Sequence, residues 1–422
     1  MKRAIVTVGL GFGDEGKGAT VDHLCRWLKA DLVVRYCGGS QCGHNVYQNG
    51  KMHTFAQFGS GTFAGAHTYI GPQVVVFPEA LLKEADHLRG MGISDPFRRI
   101  SVHPNCLITT KYHRAANRLR ELSRGDSRHG SCGHGIGEAR RYWLNYGKDA
   151  IFAEDLENSD VLGDKLELLR QRLLLDLQPV LGEIENPKEE AVFDLLVGEV
   201  EKGLCAAFQH VKLDAEMPDY DLAVFEGAQG VLLDEYNGFH PHTTWSTVTM
   251  RHALELLEQN PADETLSIGV TRAYLTRHGA GPFPTGDYEL SKIVKDKGNP
   301  WNEWQQGLQV GWLDLSLLQY AAQVAGGQID CLAVNCWDHL SDIQPKITYG
   351  RGDLAPHRYR LSRSEKAGLA LGFTVPEFKN VTTGELLQEL EKIAPVAITA
   401  IGPTHSDRTV LDDTLFEDFV VE

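Results

Sequence analysis

Short runs of β-branched and other apolar residues recur along the chain and keep ending in glycine. They are Ala4 to Val8 before Gly9, Asp31 to Tyr36 before Gly38, Thr68 to Gly71, Leu222 to Phe225 before Gly227, and Ser267 to Val270. Continuous apolar runs of this length predict strands buried on both faces of a central sheet. The ends of such strands are where α/β proteins place ligands. Between them, Asp164 to Leu177 and Lys188 to Phe208 carry leucine, valine and alanine at helical spacing, punctuated by Pro179 and Pro187. Residues of about 155–215 therefore predict a helical insertion whose leucine-rich face serves the core or a subunit contact. No repeat, low-complexity stretch or polar linker divides the sequence, so residues 1–422 read as one catalytic domain.

Composition narrows the class. The 422 residues are 42% hydrophobic and 23% charged, ordinary globular usage that excludes a disordered or coiled-coil chain. The net charge of −16 repels phosphate backbones and anionic lipid, which argues against nucleic acid as a partner. Eight cysteines without a CxxC pair predict reduced thiols in a cytoplasmic setting, and neither disulfides nor structural zinc. No apolar run reaches the roughly 18 residues of a membrane span. Lys2 and Arg3 precede an apolar start, but the run stops at Asp14 without a small-residue cleavage site. Glycine is 43 of 422 residues, so many loops must approach something closely.

The sharpest local signal is Ala4 to Val8 running into Gly9-Leu10-Gly11-Phe12-Gly13-Asp14-Glu15-Gly16-Lys17-Gly18, followed by Val21, Leu24, Cys25 and Leu28 at helical spacing. A strand, a glycine-rich turn and a helix start make an anion cradle, because free backbone N–H groups and the helix dipole converge there. Gly11 to Lys17 spells GxxxxGK, yet the next residue is Gly18 where a phosphate loop ordinarily has the Ser or Thr that holds Mg²⁺. Asp14 lies inside the loop, where a carboxylate beside a triphosphate is repulsive unless it ligates the metal or takes a proton. The plainer alternative is a strand–turn–helix with a solvated Asp-Glu pair.

Gly13-Asp14-Glu15-Gly16-Lys17-Gly18 resembles the GDEGKG signature of the adenylosuccinate synthetase family. Cys37 to His44 resembles its GGxNxGH loop, Phe225 to Gly230 its FEGAQG, and Gly279 to Thr285 its GAGPFPT; Gly133 to Gly137, Gly311 to Asp314 and Gly402-Pro403 fall in the same order. The likeness implies that family's fold, P-loop-like, with a large mixed and mostly parallel sheet flanked by helices. It also implies its chemistry: GTP phosphorylates the 6-oxygen of inosine monophosphate, and the amine of aspartate then displaces the phosphate, a better leaving group than the lactam oxygen. By resemblance Asp14 takes the N1 proton and, with Gly43, ligates Mg²⁺; His44 stabilises the transferring phosphoryl, and Lys17 holds terminal phosphates. Gly13, Glu15, Gly16, Lys17 and Gly18 belong to the nucleotide site, as do Asp338, which would accept from guanine N1 and N2, and Gly402 with Pro403 at the base. Gln41, Ser131, Gln229 and Thr244 fall at substrate contacts, and a homodimer is implied, with Arg140 or Arg141 the nearest candidates for an arginine lent between subunits.

Departures from the family pattern are equally specific. Its arginine-rich loop before GWLD, which clamps the aspartate carboxylates, is here Trp304 to Val310 without an arginine. Arg272 and Arg277, flanking the GAGPFPT element, are the candidates to compensate. The lysine of its TKLD element is replaced near Asn335 and Cys336, which leaves ATP open as donor. Cys132 is a weak donor in the phosphate pocket, and Gln41 stands in place of Asn. Asp14 is retained, whereas a phage branch acting on dGMP typically lacks it. The leading expectation is a Mg²⁺- and GTP-dependent C–N ligase acting on an IMP-like purine nucleotide with aspartate or another amine. The alternatives are the same phosphoryl activation on another acceptor or amine, and a purine-nucleotide-binding regulator without turnover.

Overall fold

The computed structural model describes residues 1–181, 186–294, 298–299, 301, 303–350, 354 and 360–420. Ten strands form the main sheet: β1 (Arg3–Gly9), β2 (Leu32–Arg35), β3 (His67–Ile70), β4 (Ile100–Val102), β5 (Lys212–Leu213), β6 (Leu222–Glu226), β7 (Glu264–Arg272), β8 (Cys331–Asn335), β9 (Val396–Ala400) and β10 (Arg408–Val410). Their order across the sheet is β10-β9-β8-β7-β1-β6-β2-β3-β4-β5. Neighbours run parallel except at one edge, where β10 pairs antiparallel with β9. The sheet is thus mixed and mostly parallel. Its central strands are buried along almost their whole length, which is why they read as apolar runs rather than as alternation.

Register sets the chemistry at the strand ends. Thr7 of β1 pairs with Glu226 of β6, and Glu226 pairs with Arg35 of β2, so an acid and a base emerge side by side on neighbouring strands. Helix α1 (Lys17–Trp27) follows β1 directly and buries Val21, Leu24 and Cys25 against the sheet. Its start carries no side-chain cap; Gly16 takes the left-handed conformation there, with φ 92°.

The helical region beyond β4 covers one flank. Leu162, Leu166, Leu169, Leu173 and Leu177 of the helix Ser159–Leu181 are each at most 1% exposed, so this leucine face packs within the chain. Lys188 to Phe208 is not one helix. It divides into Pro187–Glu190, a 3₁₀ turn at Ala191–Asp194 and Val197–Phe208, with Leu195 and Leu196 extended between them. Residues 182–185 of the expected insertion lie outside the described residues. A two-stranded hairpin, His44–Gln48 with Lys51–Phe55, turns through Asn49 and Gly50, both at positive φ as a tight Asn-Gly turn requires. It delivers His44 to the end of the sheet beside α1. Among the described residues, no helix is long and apolar enough to cross a membrane.

Candidate active site

The loop from β1 to α1 is bent by Gly13, Asp14 and Gly16, with φ of 94°, 62° and 92°. Asp14 is the only one of the three that is not glycine, and its left-handed backbone is held from outside. Arg272 Nε donates to its carbonyl, and Thr276 Oγ1 donates to the Gly13 carbonyl at 3.0 Å. Such conformations persist where the surroundings over-determine them, as they do at ligand clamps. From β8, Asn335 Nδ2 donates to the Glu15 carbonyl at 2.8 Å, and a Cβ at Gly16 would lie 2.8 Å from that same nitrogen. Gly16 is therefore required both for its φ and for the close approach of Asn335.

Glu15 is placed differently from the other loop residues. Its side chain is buried beneath the loop, accepting from Gly13 N–H at 2.7 Å and from Lys17 Nζ at 2.6 Å. The lysine expected on terminal phosphates is thus held by an internal carboxylate, and the Glu15 carboxylate is not part of the cleft wall.

His44 Nδ1 lies 2.5 Å from Glu226 Oε1. Glu226 is fully buried at the end of β6 and also accepts from the Ser60 hydroxyl and, at 2.9 Å, from Ser60 N–H; Arg35 Nη1 stands 3.8 Å away. Burial opposes its ionisation, but Arg35, His44 and Ser60 together outweigh that and hold the carboxyl at about 2. Burial pushes His44 below the usual imidazole range, against the pull of Glu226. Sequence reasoning passed over Glu226 and Arg35. The available signal was a charged residue closing each of two apolar runs, Arg35 after Val34 and Glu226 after Phe225.

A cleft of about 1300 Å³ opens over these strand ends. It is lined by Asp14, Lys17 and His44, by Gly13, Gly16, Gly18 and Gly43, and by Gln41, Ser131, Gln229 and Thr244. Asp338, Gly402 and Pro403 line the end near β8 and β9. Ser131 Oγ accepts from Asn117 Nδ2 at 2.9 Å, which leaves its own O–H to donate. At Gly402 a Cβ would lie 2.7 Å from the Asp407 carboxyl, which also takes the Thr404 hydroxyl at 2.6 Å.

Arg272 and Arg277 line the cleft but are already engaged. Arg277 is 1% exposed, donates to the carbonyls of Ala280, Pro282 and His242, and lies 4.5 Å over the Phe12 ring. Burial lowers its pKa to about 10. It pins the Gly279–Thr285 loop instead of standing open as a carboxylate clamp. Arg272 reaches the Asp14 carbonyl and, at 3.1 Å, the Tyr274 hydroxyl. In the same chain Arg140 donates to the Trp245 carbonyl and Arg141 pairs with Glu138 and Asp176. In place of the arginine-rich loop, the Trp304 ring comes within 2.9 Å of where a Gly133 Cβ would be, with Arg118 5.0 Å above it.

Among the described residues no three acidic, histidine or cysteine side chains cluster to cage a cation. A single loop carboxylate, Asp14, open to the cleft suits Mg²⁺, which keeps water and phosphate oxygens as most of its ligands.

A phosphate cradle with an acid inside it, facing a histidine backed by a buried carboxylate at the carboxyl ends of a mostly parallel sheet, defines an enzyme that acts on nucleotide phosphates. The family model for adenylosuccinate synthetase matches residues 6–350. Adenylosuccinate synthetase of Neisseria gonorrhoeae is 30% identical over 436 aligned positions, covering 97% of this chain and 99% of that protein. That of Halothermothrix orenii is 34% identical over 347, covering 80% and 78%. The chain belongs to the adenylosuccinate synthetase family, and it is a ligase that forms C–N bonds. Fully ligated adenylosuccinate synthetase of Plasmodium falciparum shares the fold with a TM-score of 0.76 at 19% identity, over 97% of this chain and 99% of that one. Cyanophage S-2L succinoaminodeoxyadenylate synthetase, bound to dGMP and to dATP as energy donor, does so with a TM-score of 0.61 at 16% identity, over 99% of each chain. The family uses GTP and Mg²⁺ and takes a small nucleotide with an amino acid.

Proposed function

We propose that this protein phosphorylates the 6-oxygen of an IMP-like purine nucleotide with GTP and then joins the activated carbon to the amine of an amino acid. The observation that carries the reading is that Asp14 and Lys17, from the loop after β1, His44, from the hairpin, and Gln229, from the turn after β6, all line one cleft. Asp14 takes the N1 proton as the 6-oxygen attacks the terminal phosphorus and the nucleoside diphosphate leaves. His44 stabilises charge on the moving phosphoryl, and Lys17 turns from Glu15 to the donor's terminal phosphates. In the second step the amine nitrogen bonds to C6, phosphate departs with the C–O electrons, and the amine loses a proton. Asp14 and the Gly43 carbonyl would hold Mg²⁺, which when bound neutralises charge on the phosphoryl oxygens. Gln229 and Gln41 orient the purine, Ser131 and Thr244 the 5′-phosphate, and Asp338 with Gly402 and Pro403 the donor's base. The protein works as a cytoplasmic homodimer.

A second reading keeps the phosphoryl step and changes the amine. It is favoured by the absence of arginine in Trp304 to Val310 together with the internal bonds of Arg272 and Arg277. Mass spectrometry of reactions containing GTP or ATP, Mg²⁺, a panel of oxopurine nucleotides and a panel of amines separates the two. A succinyl adduct made with aspartate supports the first, and an adduct only with another amine supports the second. Absence of any adduct and of any nucleotide hydrolysis would reject both.

A further inference from the structure

Glu226 has no place in the steps assigned so far, yet it is the most enclosed charged group near them. It is 0% exposed, and partners meet it from three elements: hydrogen bonds from the hairpin through His44 and from the Ser60–Ala64 turn through Ser60, and the positive charge of Arg35 on β2 at 3.8 Å. A buried carboxylate with this many donors is held rigidly, and its bond to one imidazole nitrogen decides where that ring's proton sits. From the geometry we infer that Glu226 is a positioning residue for the phosphoryl-transfer step: it holds the His44 proton on Nδ1 and fixes the ring so that Nε2 is the nitrogen presented to the cleft. The inference rests on the proposed placing of His44 at the transferring phosphoryl.

The surroundings favour this arrangement. Ser60 supplies two donors to the carboxylate, one from its backbone and one from its hydroxyl, so Glu226 cannot rotate away without stranding both. Arg35 stands in register beside Glu226 on the next strand and donates to the Phe58 carbonyl at 3.4 Å, which ties the charge balance to the loop carrying Ser60. At the base of the His44 side chain, Gly18 leaves room where a Cβ would meet His44 Cβ at 2.4 Å and Ser60 Oγ at 2.8 Å. The first turn of α1 thus packs closely against the base of the His44 side chain while the fixed carboxylate holds its Nδ1. Outer partners that orient a reacting or ligating histidine typically change activity by about 10–100-fold when removed.

The test uses the full-length protein with ¹⁵N-labelled histidine. In the unmutated protein the His44 signals at one fixed pH should show Nδ1 carrying the proton. Glu226→Gln should move those signals and lower kcat by about 10–100-fold, with KM for both nucleotides within about twofold. Glu226→Asp, which keeps the charge, should restore the nitrogen signature and part of kcat. Should Glu226→Gln fail to fold, Ser60→Ala carries the same test: the signals should move in the same direction by a smaller amount and kcat should fall several-fold. Unchanged His44 signals in Glu226→Gln, or in Ser60→Ala where that stands in, would overturn the inference, as would a rise in KM with kcat intact. The functional reading fails separately: a His44→Ala protein that still makes product at the normal rate would remove His44 from the chemistry, while the nitrogen signals would still report whether Glu226 sets its proton.

Discussion

Gly18 occupies the position where a common phosphate loop carries Ser or Thr, and its neighbours explain why a side chain is not tolerated. A Cβ built there lies 2.4 Å from His44 Cβ, 2.8 Å from Ser60 Oγ and 3.1 Å from His44 Cγ. Ordinary contact begins near 3.4 Å, so in Gly18→Ala the base of the His44 side chain must retreat by about 1 Å. It cannot do so freely, because its ring is bonded at 2.5 Å to a carboxylate that Ser60 and Arg35 hold in place. Overpacking of this kind costs about 1–3 kcal/mol, and stretching the charge-assisted bond adds to it. Alanine regains up to about 1 kcal/mol of helix propensity, which does not cancel the sum. A 1 Å error at a reacting group can cost on the order of 10²-fold in rate. Denaturant unfolding should therefore show a loss of roughly 1–2 kcal/mol, and single-turnover phosphoryl transfer should slow by about two orders of magnitude. A Gly18→Ala protein with wild-type rate and stability would refute the account of the His44 cradle.

Asp14→Asn should keep the fold and slow phosphoryl transfer by about 10²–10⁴-fold, read as diphosphate release; a rate within a few-fold of normal would remove Asp14 as the base. Asp338→Asn loses a charged acceptor, worth about 1.5–3 kcal/mol, so KM for GTP should rise about tenfold or more while that for ATP changes little. Because Arg277 is bonded to three carbonyls, Arg277→Ala should lower the unfolding midpoint as well as activity, whereas Arg272→Ala should mainly slow catalysis through the Asp14 loop; a loss confined to amine KM in either variant would show that arginine to be the clamp. Burial, aided by Arg141, holds His113 down to about 3. The unfolded histidine takes its proton near 6.5 while the folded one refuses it, so stability should fall as pH drops from about 6.5 towards 3, by up to about 1.4 kcal/mol per unit. Urea titrations at pH 7 and pH 5 should find that slope flattened in His113→Gln.

The strands were legible because a sheet covered on both faces leaves no alternation to disguise them: the expected Ala4 to Val8, Leu222 to Phe225 and Ser267 to Val270 lie within β1, β6 and β7. The phosphate loop was legible because its glycines are crowded into one short run, where Gly13 and Gly16 answer to left-handed turns, although the side chains that approach Gly16 and Gly18 come from far along the chain. What pairs across distance was not. His44 and Glu226 are 182 positions apart and meet only because a hairpin and a strand end converge, so nothing near either residue announces the other. Arg277 misled for the same reason. An arginine flanking a glycine-rich element looks available on paper, and only the folded loop shows its donors spent on the carbonyls of Ala280, Pro282 and His242. The single run expected over Lys188 to Phe208 broke because periodicity does not report the extended Leu195 and Leu196 that let the chain turn.

The two margins of the ten-stranded sheet have a consequence for how copies of this protein can meet. One margin is β5, two residues long and carrying Lys212, which pairs with Asp214 at 2.7 Å. The other is β10, three residues long, reversed in direction and followed by the Thr414–Phe419 turn, whose Phe416 is buried 4.9 Å from the Trp27 ring. Neither offers a row of backbone groups long enough to template another chain, and a charged, very short edge is how sheet proteins resist fibrous growth. A parallel sheet this wide, with its slow long-range pairing, carries that hazard throughout its own assembly. Its blunt margins confine association between finished molecules to side-chain surfaces, so that copies can join in defined numbers without extending one another's sheets.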